Sequence, residues 1–272
     1  KKDFGVTANT QAVIGYNAVE TFAFYVKTAG KGLTGQKFLD ALESGQEFHD
    51  IFGSPPVKFS KTNHLASVVT QDANGDGYVD RLVVSFSENV DASTIVAGSY
   101  SVSAGTISGV VDNGAPGDAV IWVNLVDGVQ RTDALPTLSI ASGGIQDLAG
   151  NANAAVVNHT SVDAAPPVIL SATSTVGSTD LTILFSEPVG AAAGPVGNLA
   201  AADFVYTDPV PLEGATGISG MGADANGLDR VVTLTVNAPF APGDLTIPTS
   251  DTIRAVASKI FDAPGNTAPI TA

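Results

Sequence analysis

The sequence predicts a mainly β fold, with two tandem β-sandwiches that follow a short N-terminal α/β segment. From residue 65 onwards, short runs rich in Val, Ile and Thr alternate with turns rich in Gly, Asp and Asn, a pattern typical of antiparallel strands. Several motifs of this part recur about 100 residues later, which indicates an internal repeat. In residues 1–64 the apolar residues follow helical spacing instead.

Composition and charge restrict the classes of function. The chain has 272 residues, a net charge of −15, no Cys and three His. Without Cys there is no disulfide and no thiolate metal site, and three widely spaced His do not predict a catalytic or metal cluster. The excess of negative charge disfavours nucleic acid as a partner, because phosphate binding needs a basic surface. No apolar run is long enough to predict a transmembrane helix.

The distribution of charge divides the chain into three predicted parts. Residues 1–64 hold seven Lys against six acidic residues, whereas residues 65–272 hold five basic residues against 21 acidic ones. The stretch 163–168 contains two adjacent Pro and predicts a short, stiff linker. We therefore expect an N-terminal segment (residues 1–64), a first repeat (residues 65–163) and a second repeat (residues 164–272).

The N-terminal segment predicts two helices and a strand. Residues 10–29 contain no Pro and end before Gly30, a good C-cap. Apolar side chains surround almost the whole of this helix, and such a helix must be buried on most sides. A second helix is expected at about residues 34–43, and a short strand at 57–59. The first helix has more apolar surface than so short a segment can cover, so we expect a neighbouring chain to cover it.

This segment resembles the C-terminal part of a type I periplasmic solute-binding protein of the branched-chain amino-acid receptor kind. The motifs that carry the resemblance are GYNAV at 15–19, AG at 29–30, FLDALE at 38–43 and GSPPVKF at 53–59. The resemblance covers about 60 residues of a family domain that is several times longer. It implies a local fold and ancestry, and no ligand-binding residue is carried over, because nearly all of both lobes around the ligand cleft is absent.

The repeat is defined by two motifs. LVVSFSENV at 82–90 matches LTILFSEPV at 181–189, and IQDLAGN at 145–151 matches IFDAPGN at 260–266. Each repeat therefore has the length of an immunoglobulin-like sandwich. The FSE-x-V strand and the D-x-x-G-N turn are similar to those of bacterial Ig-like domains of surface-layer proteins and large secreted adhesins. The resemblance implies stacked structural or displaying modules on the cell exterior, which are rarely catalytic.

The 72–80 loop, DANGDGYVD, is the first candidate for a metal site. It follows the pattern D-x-N-x-D-G-x-x-D, in which oxygens at alternating positions suit Ca²⁺. The predicted ligands are Asp72, Asn74, Asp76, the backbone carbonyl of Tyr78, and Asp80. The pattern departs from the EF-hand because Val83 replaces the final bidentate Glu and because a strand follows. The alternative is a plain turn that is capped by its own side chains.

Four further carboxylates occupy notable positions. Asp147 and Asp163 are candidates to complete a second cation site where the two repeats join, although a simple turn is the preferred interpretation for each of them. Glu88 and Glu187 occupy equal places in the two repeats. For these two residues we expect strand-end carboxylates that accept hydrogen bonds from backbone N–H groups.

No motif in the sequence predicts an enzyme. A P-loop, a nucleophile elbow, the zinc motif H-E-x-x-H and a Cys/His set are all absent from the sequence. The preferred interpretation is an extracellular structural protein of the cell surface, a surface-layer or filament subunit that assembles with copies of itself through its N-terminal segment. One alternative is a fragment of a solute-binding receptor with an Ig-like stalk. Another is an adhesin that contacts the cell wall, a glycan or a host protein.

Overall fold

The computed structural model describes residues 10–42, 44–49, 57–60, 65–194, 196–209, 214–222, 229–245 and 251–270. Strands dominate these residues, so the expectation of a mainly β fold with a short helical start is confirmed. None of the helices in the described part of the chain is long and apolar enough to cross a membrane.

The N-terminal segment contains the two expected helices. Helix α1 spans Thr10–Ala29 and α2 spans Gly35–Leu42, and a hairpin of strands β1 (Ser44–Phe48) and β2 (Val57–Ser60) follows. The Tyr25 side chain is fully buried, and its hydroxyl donates to the carbonyl of Gln46 over 2.7 Å. Strand β1 was missed because its sequence, SGQEF, has no alternation of apolar residues.

The expected burial of α1 applies to only part of its surface. Tyr25 is buried, but Val19 is 67% exposed and Phe22 is 59% exposed. The side chains of residues 10–18 lie outside the described residues. The second half of α1 therefore buries one side against the segment and leaves apolar side chains in water.

The first repeat contains a four-stranded antiparallel sheet, a three-stranded antiparallel sheet and one short pair. In the larger sheet the order is β3-β4-β8-β7, in the smaller it is β11-β9-β6, and β5 pairs with β10. The strands are β3 (Leu65–Gln71), β4 (Arg81–Phe86), β5 (Val90–Asp91), β6 (Tyr100–Val102), β7 (Ile107–Asp112), β8 (Val120–Leu125), β9 (Thr137–Ile140), β10 (Gln146–Asp147) and β11 (Val156–Thr160).

The second repeat has the same strand order in its larger sheet. This sheet is β12-β13-β16-β15, and a separate antiparallel pair joins β14 to β17. The strands are β12 (Ile169–Thr173), β13 (Asp180–Phe185), β14 (Phe204–Thr207), β15 (Ile218–Met221), β16 (Val231–Val236) and β17 (Thr252–Ala255). The motifs that recur in the sequence therefore form equivalent strands, β4 and β13.

Each repeat has its own cluster of buried apolar residues. Alternate residues of β4 and β13 point inwards, because successive side chains of a strand face opposite sides of the sheet. Leu82 and Ile121 belong to one cluster, whereas Ile183 and Leu234 belong to the other, and all four are fully buried. Each such side chain contributes roughly 1.5–3 kcal/mol by leaving water.

Because the two clusters are separate, a core substitution should act first on its own repeat. We expect Ile121→Ala to lower the stability of the first repeat by about 2–5 kcal/mol. Trp122, the single Trp, lies in β8 of this repeat, so its fluorescence during denaturation reports that repeat. Ile183→Ala should shift the circular-dichroism transition more than the Trp122 transition. Equal shifts of the Trp122 transition by both variants would mean that the clusters unfold as one unit.

Candidate metal centre at the junction of the repeats

The linker between the repeats is hydrogen-bonded to strand β3. The N–H of Val162 donates to the carbonyl of Val68 over 2.8 Å, and the N–H of Thr70 donates to the carbonyl of Val162 over 2.9 Å. The next residue, Asp163, accepts hydrogen bonds through Oδ1 from the Thr70 hydroxyl (3.2 Å) and from the N–H of Ala165 (3.1 Å). The first repeat therefore fixes the position of the Asp163 carboxylate.

Asp262 is held by the D-x-x-G-N turn of the second repeat. Its Oδ1 accepts from the N–H groups of Gly265 (2.7 Å) and Asn266 (2.6 Å), and its Oδ2 accepts from the Asn266 side-chain amide over 2.7 Å. The Asp262 side chain is fully buried. The sequence identified this turn by its recurrence, and Asp147 makes the same contacts with Asn151 in the first repeat.

Glu187 completes the cluster from the second repeat, because it lies just beyond the end of β13. Asp163, Glu187 and Asp262, which we call the acidic triad, each bring one carboxylate oxygen within 4.8 Å of the others. Glu187 is 2% exposed, and its Oε1 has no hydrogen-bond partner among the described residues. The expectation that this carboxylate bonds backbone N–H groups is therefore wrong for Oε1.

The triad is electrostatically strained in the absence of a cation. Burial raises the pKa of Glu187 to about 8, an effect that the Thr132 hydroxyl opposes and that Asp163 and Asp262 reinforce. Burial, with Asp262 next in size, also raises the pKa of Asp163 to about 6. Asp133 lies close enough to add to both shifts. Burial of the Glu187 and Asp163 carboxylates favours their protonated forms.

The donor set of the triad suits a hard divalent cation. Carboxylate oxygens are the ligands that Ca²⁺ prefers, and Ca²⁺ takes six to eight oxygens in a flexible arrangement. A dication would compensate the mutual repulsion, and it would give the orphaned Glu187 oxygen a partner. The residues present therefore fit a divalent cation of the calcium type.

The structure brings Asp163 together with Asp262, not with Asp147. The expectation of an Asp147–Asp163 site is thus wrong, because Asp147 and Asp163 lie at opposite ends of the first repeat. Asp147 lines a small cavity with Glu88 and Phe86, near the start of β3, whereas Asp163 contacts Thr70 near the end of β3. Asp147 is the sequence counterpart of Asp262, and its hydrogen bonds with Asn151 are those of a simple turn.

The carboxylates of the 72–80 loop are engaged by the backbone of the loop. Asp72 accepts from the N–H groups of Gly75 (2.7 Å) and Gly77 (2.8 Å), and Asp80 accepts from those of Ala73 (2.5 Å) and Asn74 (3.1 Å). Burial raises the pKa of Asp72. These contacts are those of a turn capped by its own side chains.

The remaining predicted ligands of the loop also contact one another. The N–H of Asp76 donates to the Asn74 side-chain carbonyl over 3.0 Å, and the N–H of Tyr78 donates to the Asp76 carboxylate over 3.1 Å. Within the described ranges, the triad is the one group of three or more His, Cys, Asp or Glu side chains gathered this closely, a comparison that leaves out Asn side chains and backbone carbonyls. Calcium at the 72–80 loop stays a prediction.

Comparison with known proteins returned no match: no family model, no curated protein and no solved structure is similar to this chain. The case for the function therefore depends on the geometry of the chain itself.

The raised pKa of Glu187 gives a pH dependence with a definite sign. Between its ordinary value of 4.5 and about 8, the folded chain binds more protons than the unfolded chain, so with a chelator present the free energy of unfolding should fall as the pH rises through this window. Denaturant titrations at several pH values measure the slope. Glu187→Gln should reduce it, whereas Glu88→Gln, at the equivalent place in the first repeat, should not. Equal slopes in the wild type and in Glu187→Gln would contradict the assignment.

Proposed function

We propose that the chain is an extracellular structural protein, a surface-layer or filament subunit built from Ig-like modules, in which a divalent cation of the calcium type stiffens the junction between the two repeats. The observation that supports this proposal is the acidic triad, in which a carboxylate fixed to the first repeat meets two buried carboxylates of the second. Such a cluster is costly to fold without a cation.

The cation would connect the two repeats, because its ligands come from both of them. Asp163 is tied to β3 of the first repeat through Thr70, whereas Asp262 and Glu187 belong to the second. A cation that contacts all three joins two separately packed cores without a large apolar interface. Binding to the folded chain alone would raise its stability in proportion to the logarithm of the cation concentration.

Glu187→Gln tests the cation proposal through the melting temperature in calcium. The substitution should lower this temperature if the triad binds Ca²⁺ and raise it if the triad binds no cation. If the triad holds Ca²⁺, the wild type should melt at a higher temperature in calcium than in chelator, and Glu187→Gln should lose most of that difference, because it removes one ligand charge. Differential scanning calorimetry measures both values. Glu88→Gln is the matched control and should keep the wild-type response.

A triad that binds no cation predicts a different set of melting temperatures. If no cation binds at the triad, calcium should change the melting temperatures of the wild type and of Glu187→Gln by the same amount, whether or not the 72–80 loop binds calcium. Glu187→Gln should then stabilise the protein in both solutions, since it removes a buried carboxyl group whose raised pKa disfavours the folded state near neutral pH. That pattern would exclude the cation-stiffened junction.

Self-association through the N-terminal segment is supported by the exposed apolar side of α1. Val19 and Phe22 lie one turn apart on this helix and are mostly exposed. A second copy that covers them would recover roughly 1.5–3 kcal/mol for each side chain. Recognition of a glycan or a host protein, and a role as the stalk of a receptor, are predictions of the sequence alone.

The assembly proposal is tested by light scattering after size-exclusion chromatography. The wild type should elute as an oligomer or as filaments, and Val19→Glu/Phe22→Glu should shift it towards the monomer, because charges on an apolar contact oppose association. Val157→Glu, at a side chain that is 74% exposed on β11, is the control and should leave the mass unchanged. A monodisperse wild-type monomer would exclude this mode of assembly.

A further inference from the structure

The 72–80 loop of the first repeat contacts the second repeat through Gly77. Gly77 is buried, whereas Gly75 in the same loop is exposed. A Cβ on Gly77 would lie 2.4 Å from Cδ2 of Leu170 and 3.1 Å from Cβ of Ser186, and a Cβ on Gly75 would contact nothing within 4 Å. The backbone at Gly77 therefore approaches strand β12 and the end of β13 so closely that a side chain on Gly77 would require Leu170 and Ser186 to move.

The loop is built so that Gly77 is held in place. The Gly77 N–H donates to Oδ2 of Asp72 over 2.8 Å, while the other oxygen of Asp72 holds Gly75. Gly77 has a φ of +89° and Gly75 a φ of +79°, which glycine adopts readily and other residues do not. The D-x-N-x-D-G pattern thus produces a rigid turn, in which the backbone of Gly77, without a side chain, contacts the second repeat.

Three other contacts converge on Ser186, the residue that Gly77 approaches. The Thr132 hydroxyl of the first repeat donates to the Ser186 hydroxyl over 2.6 Å, and both side chains are fully buried. Arg230 donates to the Ser186 carbonyl over 3.0 Å and forms an ion pair with Asp133 of the first repeat. The N–H of Val168 in the linker donates to the Ser186 hydroxyl over 2.9 Å.

We infer that the 72–80 loop is a docking arm that fixes the orientation of the second repeat on the first. It does so because Leu170 and Ser186 of the second repeat pack against the backbone of Gly77. This role differs from that of a cation loop, and it does not depend on the triad, because every contact in it joins two protein groups. The carboxylate of Asp72 acts as a positioning group that keeps the Gly77 backbone at the interface.

The test compares two glycines that differ only in their surroundings. Gly77→Val and Gly75→Val introduce the same side chain at a similar positive φ, so the strain within the loop is matched, and only Gly77→Val collides with the second repeat. Because the chain has no Cys, spin labels at Ser101→Cys and Thr175→Cys, one exposed site in each repeat, report the distance between the repeats by pulsed electron paramagnetic resonance. We expect one narrow distance peak in the unsubstituted chain and in Gly75→Val, and a shifted, broadened distribution in Gly77→Val.

Leu170→Ala gives a second, gentler test from the other side of the contact. It removes the side chain that faces Gly77 and leaves the loop intact, and it should broaden the same distribution, whereas Leu148→Ala, at a side chain that is 62% exposed in the first repeat, should not. Narrow, unshifted peaks in both Gly77→Val and Leu170→Ala would overturn the docking role. Measurements in calcium and in chelator separate the two proposals: an effect of Gly77→Val in both solutions supports docking even if calcium changes nothing.

Discussion

The constraint on which the rest of the structure depends is a group of three carboxylates where the two repeats meet, two of which are buried. Asp163 comes from a linker that is bonded to the first repeat, and Glu187 and Asp262 come from the second. Burial of like charges in one place opposes folding unless protons or a cation neutralise them. Protonation or cation binding at the triad would therefore act on the junction of the two repeats.

The two repeats have equivalent strands and turns, but the equivalent carboxylates of the two repeats lie in different environments. Glu88 and Asp147 are the sequence counterparts of Glu187 and Asp262, and they line a small cavity at the other end of the first repeat. Arg230 has Ala119 as its counterpart, since each carbonyl accepts from the last Phe of the neighbouring strand, Phe185 and Phe86 respectively. Equivalent carboxylates of the two repeats therefore lie in different surroundings, and those of the second repeat meet Asp163 of the linker.

Most of the fold could be predicted from local sequence patterns, whereas the site could not. The helix at residues 10–29, the recurring β4 and β13 strands and the D-x-x-G-N turn depend on residues close together in the chain. The triad joins Asp163 to Asp262 across the whole second repeat, so only the tertiary fold shows which Asp of the repeated turn meets the linker. The same limit applies to Gly77, because the pattern around it predicts the turn and says nothing about Leu170, which lies against it.

Cation binding at the acidic triad should displace protons from Glu187 and Asp163. Calorimetric titration with Ca²⁺ in two buffers of different ionisation enthalpy measures this directly, because protons released by Glu187 and Asp163 make the observed heat depend on the buffer. We expect the wild type to bind Ca²⁺ with a heat that depends on the buffer, and Asp163→Asn and Glu187→Gln should each abolish this binding. Absence of binding, or binding that survives both substitutions with the same proton release, would contradict a cation site at the triad.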